Sequence, residues 1–334
     1  MRDESEAMSD EAKTLRERKK REDVKRQGRR SQPALKPSIN IIGAGRLGTA
    51  LAIAFASRGY TINALVARHT RQAQRAAKLF RENAASTTTP LALNDKQLDS
   101  LPASDIIIIT TPDDAIAATA ARLAALPQDT RQTRTVFHAS GALSSDVLSV
   151  MRAAGYRTGS LHPLLAVSDS VLGAENLRTA FFCVEGERAA IRVARALVHD
   201  LGAQSFSINT QDKALYHAAA VMASGHMVAL FDMASEMLAA WGLKEPRARA
   251  VLLPLVRSTL ENLAQREPAR VLTGTFARAD ITTVRRHLAA LHTLGSREIL
   301  VAYTLLGQRS LQLAKRNGVD ADAIKEIARL LKNE

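Results

Sequence analysis

Apolar and polar positions fall into three regimes along the chain. From Leu15 to Arg30 the sequence reads LRERKKREDVKRQGRR, almost without apolar residues. Such a segment buries too little surface to offset the entropy of ordering it, so residues 1–37 are expected to be a disordered, mixed basic and acidic tail. From Ser38 onward, short β-branched runs alternate with helical patterns. Ser38–Ile42, Thr61–Val66, Asp105–Thr110, Thr135–His138, Tyr156–Leu161, Thr179–Val184 and Gln204–Ile208 read as strands. Within Asp105–Thr110, residues Ile106–Ile109 are continuously apolar, as in a parallel strand covered on both faces. Small-residue or amphipathic helices fit Thr49–Arg58, Ala115–Leu126 (with Asp113 or Asp114 as N-cap) and a stretch from about Ser144. After Asn209 the strand pattern stops. Asp212 to about Trp241 reads as one long helix, and its stretch Ala218–Ala223, apolar all round, should be central and buried. Further helices fit Glu245–Gln265, Thr282–Leu291, Ser296–Arg316 and Asp320–Leu331, with breaks at Gly242, Gly295 and Gly318. The pattern predicts a mostly parallel, doubly wound α/β domain over residues 38–209, then an all-α domain over 210–334.

Composition adds limits to this picture. Of 334 residues, 46% are apolar and 24% charged, which excludes a collagen or a wholly disordered chain. The formal net charge is +13; residues 1–37 hold 12 Lys/Arg against 8 Asp/Glu, so +4 lies in the tail and +9 in the body. The basic run is interrupted by acids and has no aromatic side chains to stack bases, so nucleic acid is not the expected partner. No apolar run approaches the ~18–20 residues that span a bilayer, and no membrane association is expected. The single cysteine, Cys183, permits no intramolecular disulfide, which fits a reducing, cytoplasmic setting.

One motif carries chemistry by its context. The first strand runs directly into Gly43-Ala44-Gly45-Arg46-Leu47-Gly48, and a helix follows. Strand, glycine turn and helix together form a dinucleotide-binding fingerprint of the Rossmann type. Gly43 permits the tight turn, Gly45 lets the backbone approach a pyrophosphate, and Gly48 lets the helix pack close to the strand. The helix N-terminus offers free N–H groups to the phosphates. An NAD site places an acid near the end of the second strand, yet no acid occurs between Tyr60 and Arg81; Arg68, His69 and Arg71 stand there instead. A guanidinium suits a 2′-phosphate, so NADP(H) is the expected cofactor. Thr111 and Pro112, after the central strand, lie on the ligand-binding carboxyl edge and complete the predicted cofactor set.

Candidate reacting groups lie further on. Lys213, Tyr216 and His217 share one helix face by their spacing of three and four. A lysine desolvated there could donate a proton or anchor substrate, so Lys213 is the first candidate. A brace at the domain junction is the alternative for Lys213, and a core position is the alternative for His217. His162 follows a strand and precedes Pro163, which places it in a loop facing the cleft, and Ser140 occupies the loop of the preceding strand. Both could hold substrate or simply brace their loops. No metal-ligand spacing, hydrolase elbow or Walker lysine appears. An NADP(H)-linked oxidoreductase acting on a small carbonyl, imine or hydroxy acid between the domains is the leading reading. A nucleotide sensor without turnover and a nucleic-acid binder using the tail remain as alternatives.

The ordered blocks Gly43–Gly48, Thr111-Pro112-Asp113-Asp114-Ala115-Ile116, His138-Ala139-Ser140-Gly141-Ala142, His162-Pro163-Leu164 and Lys213–Val221 resemble the Rossmann-like proteins with a C-terminal DUF2520 domain. Leu272-Thr273-Gly274 and Thr283–Leu288 extend the resemblance, which runs from about residue 38 to the C-terminus. The wider group is similar to the 6-phosphogluconate dehydrogenase, pyrroline-5-carboxylate reductase and F420-dependent NADP reductase relatives. The resemblance implies an NADP-linked oxidoreductase fold and a homodimer formed through the helical domain, and brings no substrate. Two stretches depart from the pattern: Met222-Ala223-Ser224-Gly225 replaces a Phe-Ala-Ser-Asn-like stretch, and Thr273–Asp280 lacks the proline and glycine of a Thr-Gly-Pro…Arg-Gly-Asp stretch.

Overall fold

The computed structural model describes residues 35–127 and 134–333. The expected tail therefore lies outside the described residues up to position 34. Eight strands form one sheet: β1 (Ser38–Ile42), β2 (Thr61–Ala67), β3 (Leu91–Asn94), β4 (Ile106–Ile109), β5 (Thr135–His138), β6 (Arg157–Pro163), β7 (Phe181–Gly186) and β8 (Gln204–Ser207). Their spatial order is β3-β2-β1-β4-β5-β6-β7-β8. All pairs are parallel except β6 with β7, so the last two strands run against the other six. The seven expected strands are present, and β3 is added at the edge.

The pleat divides the apolar strands between two cores. Ile39, Ile41, Ile106 and Ile108 join one cluster; Ile42, Ile107 and Ile109 join the other. On the first face lies helix α1 (Arg46–Ala56), whose residues Gly48 to Ala56 are all buried. Its alanines let the helix axis approach the strands, which a larger side chain would prevent. Helix α2 (Thr70–Asn83) packs beside it through Ala73, Ala76, Ala77 and Phe80. Helix α3 (Asp113–Ala124) covers the second face through Ile116, Ala120 and Leu123. Its N-cap is Pro112, whereas the sequence favoured Asp113 or Asp114. Both aspartates occupy the first helical turn, where a negative charge opposes the helix dipole. Helices α4 (Ser149–Ala153), α5 (Ser170–Asn176) and α6 (Arg188–Leu201) connect the later strands.

The start of the described chain is fastened. Lys36 Nζ pairs with Asp200 at 2.7 Å and lies 4.7 Å from the Tyr60 ring centroid. The Tyr60 hydroxyl donates to the same carboxylate at 2.7 Å. Ser38 donates to Asp105 through both its backbone N–H and its hydroxyl, each at 2.8 Å.

The chain divides into two compact units between Ala220 and Val221, whereas the strand pattern ends at 209. The helix α7 (Lys213–Ala223) opens inside the first unit because Lys213, Tyr216 and His217 bond or stack with its sheet. The helix expected from 212 to 241 is interrupted. Ser224, at φ −125° and ψ −74°, separates α7 from α8 (Gly225–Ala240). Ala218–Ala223 is half-buried to exposed, not buried as its composition suggested. By length and composition alone, residues 210–240 could cross a membrane, the most apolar 18 residues among them having a mean hydropathy of 1.4, which corrects the expectation that no such stretch exists. Lys213, within that stretch, is 2% exposed against the sheet of the first unit.

The second unit continues with α9 (Arg247–Gln265), α10 (Pro268–Val271), α11 (Gly274–Ala277), α12 (Ile281–Leu294), α13 (Arg297–Arg316) and α14 (Ala321–Lys332). Val284, Leu288, Leu311, Ile327 and Leu331 form its core. Ala279 stands at φ +49°, a left-handed backbone that suits glycine, at the position where the resembled pattern carries one.

Candidate functional site

The glycine turn is built by its neighbours on both sides. The N–H groups of Gly43 and Ala44 both donate to Val66 O, at 2.8 and 2.7 Å, which ties the turn to the end of β2. Thr110 Oγ1 donates to Gly43 O at 2.7 Å from the end of β4. A Cβ on Gly43, which sits at φ +111°, would lie 2.5 Å from the Thr110 carbonyl carbon. A Cβ on Gly48 would lie 2.4 Å from Gly43 O. Gly45 differs, because its nearest neighbour would be 3.9 Å away. Two glycines therefore close the packing, and the third leaves backbone open to an approaching group. Gly45 precedes α1 with no side-chain cap and no acid in the first turn of that helix. Thr111 Oγ1, beside the turn, is buried without a hydrogen-bond partner. Gly45, Arg46, Arg75, Ser168 and Ser170 border a cavity of ≈ 300 Å³. Arg68 is exposed just past the end of β2, two residues beyond the carbonyl that holds the turn. Ala44 is buried, Leu47 half-buried and Pro112 exposed.

A second cluster forms where β5, β6, β7 and α7 meet. Lys213 Nζ donates to Ser160 Oγ at 2.8 Å and to Ser140 O at 3.1 Å, and lies 5.6 Å from the Tyr216 ring centroid. Burial pushes its ammonium below the ordinary lysine range, while Cys183, Glu185 and Asp113 favour the charge. Ser140 is fully engaged. Its hydroxyl donates to Asp113 Oδ2 at 2.8 Å and accepts from the N–H groups of Ala142 and Leu143. Ser140 thus joins the start of α3 to the loop after β5.

His162 lies within β6 and pairs with Cys183 of β7, so it belongs to a strand rather than to the loop expected from the following proline. Its Nδ1 is 2.6 Å from the Tyr216 hydroxyl, and its ring stands edge-on to His217 at 5.9 Å. Burial, then the charges of Lys213 and the two neighbouring histidines, lower its pKa to about 3. His138 is likewise lowered to about 4 by burial and Lys213. A Cβ on Gly141 would lie 2.4 Å from His217 Cδ2 and 2.8 Å from His162 Nε2, so glycine there leaves room for both imidazoles. His217 is half-buried on the same face.

Lys213, His162, Ser140 and His217 thus come together, as do the residues named at the glycine turn. Sequence reasoning left out Ser160, which holds the lysine, and Cys183, the buried partner of His162 across the β6–β7 pair. It also left out Glu185. That buried carboxylate accepts from Ser145 N at 2.8 Å, Ser145 Oγ at 2.7 Å and Thr210 Oγ1 at 2.9 Å. It therefore fixes the loop after β5 and the approach to α7 together. Among the described residues, no group of histidine, cysteine and acidic side chains could hold a metal ion.

Residues 23–163 match the Rossmann-like domain family, and residues 180–310 match the domain of unknown function DUF2520. No curated protein matches the chain in sequence. Among solved structures, a protein from Thermotoga maritima is similar with TM-score 0.63 and 21% identity, over 84% of this chain and 99% of that one. A protein of Bacteroides fragilis described as a "putative NADP oxidoreductase" is similar with TM-score 0.67 and 20% identity, over 83% and 98%. A reductive aminase from Aspergillus terreus, solved with NADPH and ethyl-5-oxohexanoate, gives TM-score 0.52 and 16% identity over 89% and 93%. At these identities the likeness is one of fold. The chain joins an N-terminal Rossmann-like domain to a DUF2520 domain.

Proposed function

We propose that this protein is an NADP(H)-dependent oxidoreductase acting on a small carbonyl, imine or hydroxy-acid compound. The observation that carries the reading is the glycine turn. Gly43 and Gly48 are closed to any side chain, Gly45 is open, and the helix behind is uncapped. This arrangement fits a pyrophosphate, and the orphaned Thr111 hydroxyl fits a ligand that supplies its missing hydrogen bond. Gly43, Ala44, Gly45, Arg46, Leu47 and Gly48 would hold the phosphates, with Thr111 and Pro112 beside them and Arg68 on a 2′-phosphate. When bound, a nicotinamide supplies or accepts the hydride.

The protein's own part is orientation and proton handling. Lys213 anchors the Ser140 carbonyl and sets a positive field from within the sheet edge. Ser140 braces the loop in front of it. His162 and His217 pack closely against Gly141, and His217 is the candidate for exchanging the proton. Fluorescence titration with NADPH and NADH tests the cofactor. Tighter NADH binding that Arg68→Ala leaves untouched would remove the NADP assignment. A panel of small carbonyl compounds, with and without amines, tests turnover. Cofactor binding without oxidation on any of them would favour a nucleotide sensor.

We also infer a homodimer through the second unit. Met222, Val228, Trp241, Leu255 and Leu305 are each more than half exposed there, which is costly for a lone subunit in water.

A further inference from the structure

Strand β1 places a polar side chain on an apolar face. Asn40 alternates with Ile39 and Ile41, so it projects to the side of the sheet where Ile42, Ile107 and Ile109 lie. It is 1% exposed, and its neighbours across the sheet are Ala64 of β2 and Ile107 of β4. Its Nδ2 donates to Pro102 O at 2.7 Å. A carbonyl oxygen only accepts, so the amide nitrogen must face it, and the orientation of the carboxamide is fixed. Oδ1 is thereby left on the other branch, buried and without a hydrogen-bond partner. Neither Ala64 nor Ile107 has a side chain that can donate. A buried acceptor left unpaired opposes folding, so an amide at this position calls for a donor that the chain does not supply.

Asn40 borders a cavity of ≈ 330 Å³. Small-molecule sites span about 300–1,000 Å³. The cavity lies toward the amino-terminal edge of the sheet, beside the segment leading into β4 and the start of β5, whereas the glycine turn lies at the opposite edge. Ile107, Leu123, Leu126 and Tyr156 give it an apolar wall. Arg134 borders it too, half-buried, and no ion pair joins that guanidinium to an acid among the described residues. Arg134 stands two residues before Val136 of the same core, which puts both polar residues on one face of the sheet. β4 separates β1 from β5, so Asn40 and Arg134 are two strand spacings apart, ~10 Å. A donor for Oδ1 and an anion for the guanidinium must therefore sit at opposite ends of one ligand, with an apolar body between them.

We propose that this cavity is a second small-molecule site, and that it takes an apolar, ring-bearing carboxylic acid with a hydroxyl or amino donor at the far end. The donor binds Asn40 Oδ1 and the carboxylate binds Arg134. The proposal is independent of the oxidoreductase reading, because it uses neither the glycine turn nor the cluster around Lys213.

The probe is para-hydroxybenzoate, titrated into the full-length protein by calorimetry and ligand-observed NMR. Benzoate, which lacks the donor, and phenol, which lacks the carboxylate, are titrated beside it. Benzoate should bind about tenfold more weakly than para-hydroxybenzoate, the effect of one buried hydrogen bond. Asn40→Leu has nearly the same shape and matches its apolar neighbours, and it should abolish the difference between the two acids. Arg134→Gln should weaken both acids more than phenol. No binding of para-hydroxybenzoate up to about 10 mM overturns the proposal, since water alone would then satisfy Oδ1. Binding that neither variant changes lies elsewhere and overturns it as well. If Asn40→Leu does not fold, Arg134→Gln decides: an acid bound as tightly by that variant as by the wild type overturns the site.

Discussion

Replacing Lys213 by methionine should leave the protein as stable or more stable while removing the field on which the site depends. The lysine is 2% exposed and is held by neutral oxygens, Ser160 Oγ at 2.8 Å and Ser140 O at 3.1 Å. Hydrogen bonds to a charged group contribute about 1.5–3 kcal/mol each. Taking an ammonium out of water costs several kcal/mol even after relaxation. The two effects are of similar size, and methionine gives up both. It also fills most of the volume of the lysine stem. Ser160 Oγ lies 3.4 Å from Ser140 O, so the hydroxyl can bond the carbonyl once the ammonium is gone. The expected change lies between zero and about 2 kcal/mol in favour of the variant. The pH dependence gives a second reading with a fixed sign. Burial lowers the lysine pKa in the fold, so between that lowered value and ~10.4 the unfolded chain binds more protons than the native one. Unfolding free energy of the wild type therefore rises with pH across that window, by at most ~1.4 kcal/mol per pH unit from this group. Lys213→Met lacks this contribution, so its advantage shrinks as pH rises. Urea unfolding of both proteins from about pH 6 to about pH 10 measures both quantities. A variant destabilised by more than ~2 kcal/mol, with the pH slope of the wild type, would refute the reasoning: the ammonium would then be a net brace.

Other substitutions probe separate parts. Gly48→Ala places a methyl 2.4 Å from Gly43 O, a backbone atom that cannot swing away, so thermal unfolding should show a loss of about 1–3 kcal/mol and NADPH titration a weakened affinity. Glu185→Gln keeps the shape but turns one acceptor into a donor facing Ser145; a loss of about 1–3 kcal/mol is expected in urea unfolding, and a loss near zero would mean that water replaces the carboxylate. Sedimentation of the full chain should give a dimer, and Leu255→Asp with Leu305→Asp should shift it to monomer; a monomeric wild type ends the dimer proposal.

What could be read from the sequence was local. Strand β4 declares itself by four successive isoleucines, and the glycine turn by its place between a strand and a helix. The shared face of Lys213, Tyr216 and His217 follows from helical periodicity alone. Long-range pairings could not be read this way. His162 meets Cys183, and Ser160 meets Glu185, only because β7 runs antiparallel to β6 in that register. Nothing in the local pattern of β7 announces its direction. The four residues of β3, Leu91–Asn94, are too few and too mixed to announce a strand. Ser224 breaks the long helix although the residues before it are uniformly apolar, and the same apolarity misled the burial assignment, because composition does not say which partner surface is present.

The fastening of Lys36 onto Asp200 and Tyr60 fixes where the chain enters the sheet. β1 runs from Ser38 to the glycine turn, so Lys36 stands at the amino-terminal edge and the phosphate-binding turn at the other. Five residues at ~3.3 Å each put ~17 Å between those edges, about twice the distance over which physiological salt screens a charge. The point at which the basic N-terminal segment joins the body is thus electrically remote from the turn. Affinity for a dinucleotide should be insensitive to removal of residues 1–34, and an affinity tag placed ahead of Lys36 should leave the nucleotide site unobstructed.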